Sequence, residues 1–190
     1  MIEKYEHNKV FKKLNYEEKA LSKGEYENCT FVDCHFSKSD LSGINFIECT
    51  FDQCNLSLAS FKTASLNEVK FIDCKLLGVR FNECNQLLLS LHFKDCDLNL
   101  ASFFELKLKN TTFRHCNLYE VDFVSSDLSY CTFDKCDLKN AVFDNTKLEN
   151  SNFLTSFNYR IDPEKNLIRK AKFSHDGIGG LLDKYDIILE

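Results

Sequence analysis

A five-residue repeat runs through most of the chain and limits what it can fold into. In every pentad of residues 29–83 and 91–155, the middle residue is Phe or Leu. The residue two positions earlier is small or aliphatic. Nine of the ten cysteines occupy this position, and Cys84 occupies it in the next pentad, whose centre is Gln86. A period of five fits neither the α-helix nor a long alternating strand. It fits a chain that turns a corner every five residues, with one large and one small residue of each pentad pointing inward.

Four such sides close a square coil, and successive turns of the coil stack at the strand spacing of about 4.8 Å. A solenoid of this kind needs several turns to bury its core and needs caps at its ends. From Phe93 to Phe153 the central residues alternate strictly between Phe and Leu. Because centres ten residues apart lie on opposite walls, we expect Phe to line two facing walls and Leu the other two.

The order of residue types within the pentads is equally regular. A small residue is followed by Asp or Asn and then by Leu or Phe, as in Cys96-Asp97-Leu98 and Cys136-Asp137-Leu138. This pattern resembles the signature of the pentapeptide-repeat family over residues 24 to about 157. The resemblance implies an all-β fold, a right-handed quadrilateral parallel β-helix.

The repeat divides the chain into three parts. Residues 1–23 are predicted to form an N-terminal cap, residues 24–157 the β-helix, and residues 158–190 a C-terminal cap with a short helix. Phe81 and Phe93 are two residues further apart than two repeats require. We expect the register shift within 83–92 to form a bulge or a tucked apolar corner; a recognition loop is the alternative.

The C-terminal segment carries apolar residues at helical spacing. It either caps its own coil or pairs with a second copy of the chain. The quinolone-resistance branch of the family dimerises through C-terminal segments, and the resemblance to it favours a homodimer. The predicted dimer interface consists of Ile178, Leu181, Leu182, Tyr185, Ile187 and Ile188.

Composition argues against several functions. No spacing of the cysteines reads as a zinc site, and no nucleophile–base pair or Gly-rich phosphate loop is present. We therefore expect buried reduced thiols, no metal, no cofactor and no enzymatic activity. The net charge of −5 speaks against direct binding of nucleic acid. No segment resembles a signal peptide or a membrane span, so a cytoplasmic protein without membrane contact is predicted.

Acidic residues are concentrated on the walls of the coil. Residues 24–157 carry a net charge of −7, while the rest of the chain carries +2. The wall centred at Tyr26, Phe46 and Leu66 has four outward glutamates and no base in those turns. The candidate partner-binding residues are Glu25, Glu27, Asp33, Glu48, Asp52, Glu68, Asp73, Glu105, Asp122 and Asp144.

The resemblance to the quinolone-resistance (Qnr-like) branch implies a role for these walls. Such proteins mimic duplex DNA and bind a type II topoisomerase, DNA gyrase or topoisomerase IV. The expected function is therefore to modulate that enzyme or to protect it from inhibitors. The chain lacks the long projecting loops common in that branch. The alternative is a scaffold or immunity protein that binds another protein, with the acidic walls serving only solubility.

Overall fold

Short strands and tight corners make up the computed structural model, which describes residues 4–188. Each side of the coil is only five residues long, so the strands have three or four residues. They are β1 Lys4–His7, β2 Val10–Lys12, β3 Gly24–Glu27, β4 Thr30–Val32, β5 Asn45–Ile47, β6 Thr50–Asp52, β7 Ser65–Asn67, β8 Val69–Ile72, β9 Leu91–Lys94, β10 Thr112–Arg114 and β11 Thr132–Asp134. Helix α1 spans Gly179–Leu182, and 3₁₀ turns span Phe81–Glu83 and Asp183–Tyr185.

All strand pairs are parallel, which confirms the predicted right-handed quadrilateral β-helix. One sheet has the order β1-β3-β5-β7 and the other β11-β10-β9-β8-β6-β4-β2. Paired residues are twenty apart, as in Phe31 and Phe51, except across the register shift, where Phe71 pairs with Phe93. We name the four sides of the coil by the central residues of their early turns. They are wall 1 (Tyr26, Phe46, Leu66), wall 2 (Phe31, Phe51, Phe71), wall 3 (Phe36, Leu56, Leu76) and wall 4 (Leu41, Phe61, Phe81).

Left-handed backbone at the residue two after most centres makes the corners. Glu48, Glu68 and Tyr130 have φ values of 52°, 52° and 63°. Side chains of the Asp or Asn before the centre support these corners. The Asp122 carboxylate, for example, accepts the N–H of Val124 at 2.9 Å. Part of the repeat's acidity is thus used to build turns.

Aromatic stacks fill the axis of the coil, with Phe on walls 2 and 4 as predicted for the second block. Ring centroids of Phe113 and Phe133 on wall 2 are 5.0 Å apart with an interplanar angle of 3°. Phe103 and Phe123 on wall 4 are 5.3 Å apart at 9°. The two stacks meet edge to face across the axis: the ring of Phe113 makes interplanar angles of 82° with Phe103 and 81° with Phe123. This arrangement suits the quadrupoles of the rings.

Hydrogen bonding explains the small-residue position more fully than volume alone. The Cys49 thiol donates to the carbonyl of Tyr26 at 3.1 Å, and the Ser151 hydroxyl to that of Leu128 at 2.8 Å. In both cases the acceptor lies 23 residues earlier, in the preceding turn. Cys, Ser and Thr therefore suit the position because each is small and also carries a donor.

Pairing continues across both proposed domain boundaries. Phe11 stacks on Phe31 at 4.9 Å, so residues 4–23 form a turn of the coil that covers one end of it. At the other end, Phe173 stacks on Phe153, twenty residues earlier, at 5.3 Å. No helix in the described stretch, 4–188, is long and apolar enough to cross a membrane.

The register shift forms a bulge at the corner between walls 1 and 2. Leu89 packs partly against the core, whereas Leu87 and Leu88 are 72% and 70% exposed. The corner is therefore apolar but not tucked, because the two additional residues push these leucines outward.

Candidate functional site

Four carboxylates of three successive turns lie together on wall 1. Glu25 and Glu27 flank Tyr26 on β3, while Glu48 and Glu68 occupy the same corner in the next two turns. The corner geometry directs Glu48 and Glu68 outward, and both are exposed. The structure therefore brings together the acidic residues that the repeat assigned to this wall.

These carboxylates differ in how far they are engaged. Glu27 accepts a hydrogen bond from the Tyr5 hydroxyl and lies 3.4 Å from His7 Nδ1. That hydrogen bond raises the pKa of Tyr5. Glu25, Glu48 and Glu68 form no ion pair with any residue of 4–188. Their charge is consequently uncompensated within the described chain.

Wall 2 is more mixed than the acidic residues Asp33, Asp52 and Asp73 suggest. Asp33 and Asp73 are exposed at corners, but Asp52 shares its column with Lys94 and Arg114 of later turns. Arg114 in turn holds Asp134 at 3.1 Å. Acidic and basic groups are mixed along this wall, which lowers its net potential.

On wall 4, two of the three predicted acidic residues are engaged within the chain. Asp122 supports a corner and accepts the Ser102 hydroxyl at 3.3 Å. Asp144 lies 3.9 Å from Lys165 and accepts the Asn145 side-chain amide at 2.8 Å. Sequence reasoning missed Lys165 because the repeat is interrupted before it. Glu105 alone of the three has neither an ion pair nor a side-chain hydrogen bond within 4–188.

Charge changes sign along wall 1, a feature that the separate turns of the sequence did not reveal. Beyond the bulge, the wall carries Lys107, Lys109, Lys147 and Arg169. Asp127 is held there by Lys109 at 3.3 Å, and Glu149 by Arg169 at 3.3 Å. The step of twenty-two residues across the bulge hides this relation from a simple twenty-residue alignment. Wall 1 is thus acidic before the bulge and basic after it.

The C-terminal segment folds back on its own coil. Lys184 Nζ lies 2.7 Å from Asp162 and 2.6 Å from Glu164, and the Tyr185 hydroxyl donates to Glu164 at 2.8 Å. The amide of Ile161 donates to the carbonyl of Gly180 at 2.9 Å. The predicted helix is shorter than its apolar spacing indicated, since 3₁₀ geometry begins at Asp183.

Among the predicted dimer residues, only some contact the coil. Leu181 packs against the core and Leu182 is half-buried, whereas Ile178, Tyr185, Ile187 and Ile188 are exposed. The segment therefore caps its own coil and still presents apolar side chains to solvent.

The cysteines are buried inside the coil. Burial raises the pKa of Cys49 and of Cys131 to about 12, so both thiols are neutral at physiological pH. Within residues 4–188, no group of three or more His, Cys, Asp or Glu side chains is placed to hold a metal ion.

Comparison with known proteins agrees with the coil geometry. The family model of the pentapeptide repeat region matches residues 44–123 and 79–153, more than half of the chain. The chain belongs to the pentapeptide-repeat family. No curated protein sequence matches it at a significant level.

Two solved pentapeptide-repeat structures share the fold over most of their length. One is trypsin-treated QnrB1, a plasmid-mediated fluoroquinolone resistance protein: it is 19% identical, with a TM-score of 0.51 over 98% of this chain and 100% of that one. The other is HetL, involved in the regulation of heterocyst differentiation in the cyanobacterium Nostoc: it is 14% identical, with a TM-score of 0.56 over 90% of each chain. At these identities the likeness establishes the fold alone.

Proposed function

We propose that this pentapeptide-repeat protein is a non-enzymatic DNA mimic that binds a type II topoisomerase and modulates it or protects it from inhibitors. The observation that carries the proposal is the acidic part of wall 1. There, Glu25, Glu48 and Glu68 have no ion-pair partner in the described chain, 4–188. The similarity of the fold to a fluoroquinolone resistance protein supports the choice of target.

Charge spacing supports mimicry of a nucleic-acid backbone. With Glu27 included, four carboxylates fall within two steps of the coil, or about 10 Å. A single DNA strand carries one phosphate per 3.4 Å, so this stretch of wall matches the charge density of a strand. A basic DNA-binding channel would attract such a row, and salt would weaken the attraction.

A scaffold or immunity protein for some other partner is the second candidate. It is favoured by the acidic residues that have structural roles, since Asp122 supports a corner and Asp144 lies beside Lys165. In that case the walls serve solubility and the topoisomerase is unaffected.

Supercoiling by DNA gyrase, with and without a fluoroquinolone, separates the two candidates. We expect the protein at micromolar concentration to inhibit supercoiling or to relieve the effect of the drug. Reversing Glu25, Glu27, Glu48 and Glu68 together to Lys is expected to abolish the effect.

A matched control reverses four exposed acidic residues outside the acidic part of wall 1. The control substitutions are Glu17→Lys, Glu120→Lys, Asp176→Lys and Asp186→Lys, which change the net charge by the same amount. This variant is expected to act as the original chain does. No effect of the unmodified protein on supercoiling would exclude the topoisomerase and favour the scaffold.

A homodimer through the C-terminal segment is part of the proposal. The exposed Ile187 and Ile188 support it, because they extend an apolar surface beyond the segment's contacts with its own coil. In dilute solution, at low micromolar protein, replacing both by Asp in the full chain is expected to reduce the sedimenting mass to that of a monomer. An unchanged dimer mass would exclude this interface.

A further inference from the structure

We propose that two copies of this chain pair side by side and antiparallel through wall 1. Three features of one wall lead to this arrangement: an acidic stretch, an apolar bulge and a basic stretch, in that order along the coil. Antiparallel pairing places the acidic stretch of each copy against the basic stretch of the other, with the bulges at the two-fold axis. The contact is isologous and closed.

The apolar centre is the bulge of the register shift. Leu87 and Leu88 are 72% and 70% exposed, and Leu88 has a φ of 59°. This φ is common to the corners of the coil, so Leu87 and Leu88 are distinguished by their exposed apolar surface. Burial against the same residues of a second copy would remove that surface from water.

The two-fold axis lies between the facing walls and at right angles to the coil axes. It keeps each column of the wall opposite the same column of the partner. A residue some number of turns before the bulge therefore faces a residue the same number of turns after it. This condition can be checked turn by turn, because pairing fixes the register on both sides of the bulge.

One turn away from the bulge, Glu68 faces Asn110 in the corner column, with Lys109 beside it. Both can donate to the Glu68 carboxylate. Lys107, in the same turn as Lys109, makes no ion pair within 4–188 and adds to the positive charge there.

Two turns away, Glu48 faces Tyr130. Tyr130 lies at a corner of the same column as Leu88 and is 59% exposed. Its hydroxyl can donate to the Glu48 carboxylate. Asp127 of that turn is held by Lys109, so its charge is compensated within its own chain.

Three turns away, Glu25 faces Lys147 in the column before the centre. Neither forms an ion pair within residues 4–188. In the column after the centre, Glu27 faces Glu149, whose charge is offset by Arg169 at 3.3 Å, and Lys147 is left free for the partner. The outermost turn lies beyond the matched stretch, since Glu6 is already paired with Lys4 at 3.1 Å and with Lys9.

The size of the contact predicts a weak dimer. At about 4.8 Å per turn, the six steps from Glu25 to Lys147 span about 29 Å, and a five-residue wall is about 16 Å wide. Two such faces bury roughly 900 Å², near the lower limit of specific interfaces. We therefore expect pairing at tens to hundreds of micromolar, weakened by salt.

This pairing covers the carboxylates that the proposed function offers to a topoisomerase, so one molecule cannot do both at once. The test contains no topoisomerase, and its failure is therefore distinct from a failure of the proposed function.

Sedimentation velocity of the full chain with complementary charge reversals tests the pairing. One variant carries Glu25→Lys, Glu48→Lys and Glu68→Lys; the other carries Lys107→Glu, Lys109→Glu and Lys147→Glu. Both variants also carry Ile187→Asp and Ile188→Asp, so that the C-terminal contact does not contribute to the mass. Each alone is expected to be monomeric, because like charges then face each other. An equimolar mixture at hundreds of micromolar is expected to approach twice the monomer mass, which also shows that both variants are folded. A mixture that stays monomeric at that concentration would overturn the proposal.

Cross-linking locates the two-fold axis. Leu88→Cys is expected to form an intermolecular disulfide under mild oxidation, since the ten native thiols are buried. The control is Leu58→Cys, at an exposed corner between walls 3 and 4 with a φ of 58°. Equal cross-linking of the two variants would contradict pairing through wall 1.

Discussion

Replacing Phe123 by Ala removes one ring from the stack on wall 4 and tests how the coil is held together. The ring is fully buried, stacked on Phe103 at 5.3 Å and on Phe143 at 5.2 Å. It also meets Phe113 and Phe133 edge to face, both at 5.9 Å. Removing it creates a cavity and breaks four ring contacts.

The backbone around this cavity is not free to collapse. The amide of Phe123 donates a hydrogen bond to the carbonyl of Val142 in the next turn at 3.0 Å. The amide of Asp122 donates to the carbonyl of Ala101 in the preceding turn, also at 3.0 Å. Phe→Ala substitutions in protein cores cost about 3–5 kcal/mol, and the cost is greatest where the site cannot relax. We therefore expect a loss of about 4 kcal/mol in the free energy of unfolding.

Phe104→Ala is the matched control, because Phe104 lies on the outer side of the same wall and is 36% exposed. It is expected to cost about 1 kcal/mol or less, as for a surface position. Urea unfolding followed by circular dichroism measures both. Hydrogen exchange should localise the effect of Phe123→Ala to the adjacent turns, since each turn contacts only its neighbours. Equal losses for the two variants would refute the view that the ring stacks stabilise the coil.

Two further predictions concern the thiols and the corners. A thiol reagent at pH 8 is expected to label almost none of the ten cysteines of the folded chain and all ten in denaturant, since burial raises the pKa of Cys49 and Cys131 to about 12; rapid labelling of the folded chain would contradict the buried column. Hydrogen bonds from the side chain and amide of Ser42, and then Lys23, lower the pKa of Asp40. The stability it adds is present above its ordinary pKa and lost as the pH falls through the lower folded value. Asp40→Asn keeps the acceptor and is expected to flatten unfolding curves between pH 5 and pH 2; an unchanged pH dependence would show that Asp40 has no such role.

Much of the fold could be predicted from the sequence because every pentad places the same kinds of residue at the same inward and corner positions. Each pentad specifies one large inward side chain, one small inward donor and one corner, and neighbouring pentads agree. The stacking of Phe31, Phe51 and Phe71 therefore follows from the repeat itself and does not depend on contacts with distant parts of the chain. The strict alternation after Phe93 likewise placed the Phe stacks on two facing walls.

The candidate site was less predictable, because compensation of charge depends on residues outside the repeat. Lys165 approaches Asp144 only after the interruption past residue 157 folds back, and no period of five contains that information. The helical spacing of the apolar residues likewise overestimated the length of the C-terminal helix. Lys184 and Tyr185 contact Glu164 and do not continue the helix.

The sequence by itself determined the coil, because a period of five with two inward residues leaves the chain few other ways to bury its Phe and Leu side chains. It also determined where the acidic residues lie around the coil. Only the tertiary structure decided which carboxylates stay uncompensated and that Leu87 and Leu88 face solvent. Only the tertiary structure also showed that wall 1 reverses its charge on the far side of the bulge. The physical reason is that a two-residue insertion shifts every later turn, so residues on one wall are aligned by hydrogen bonding between turns and not by their spacing in the chain.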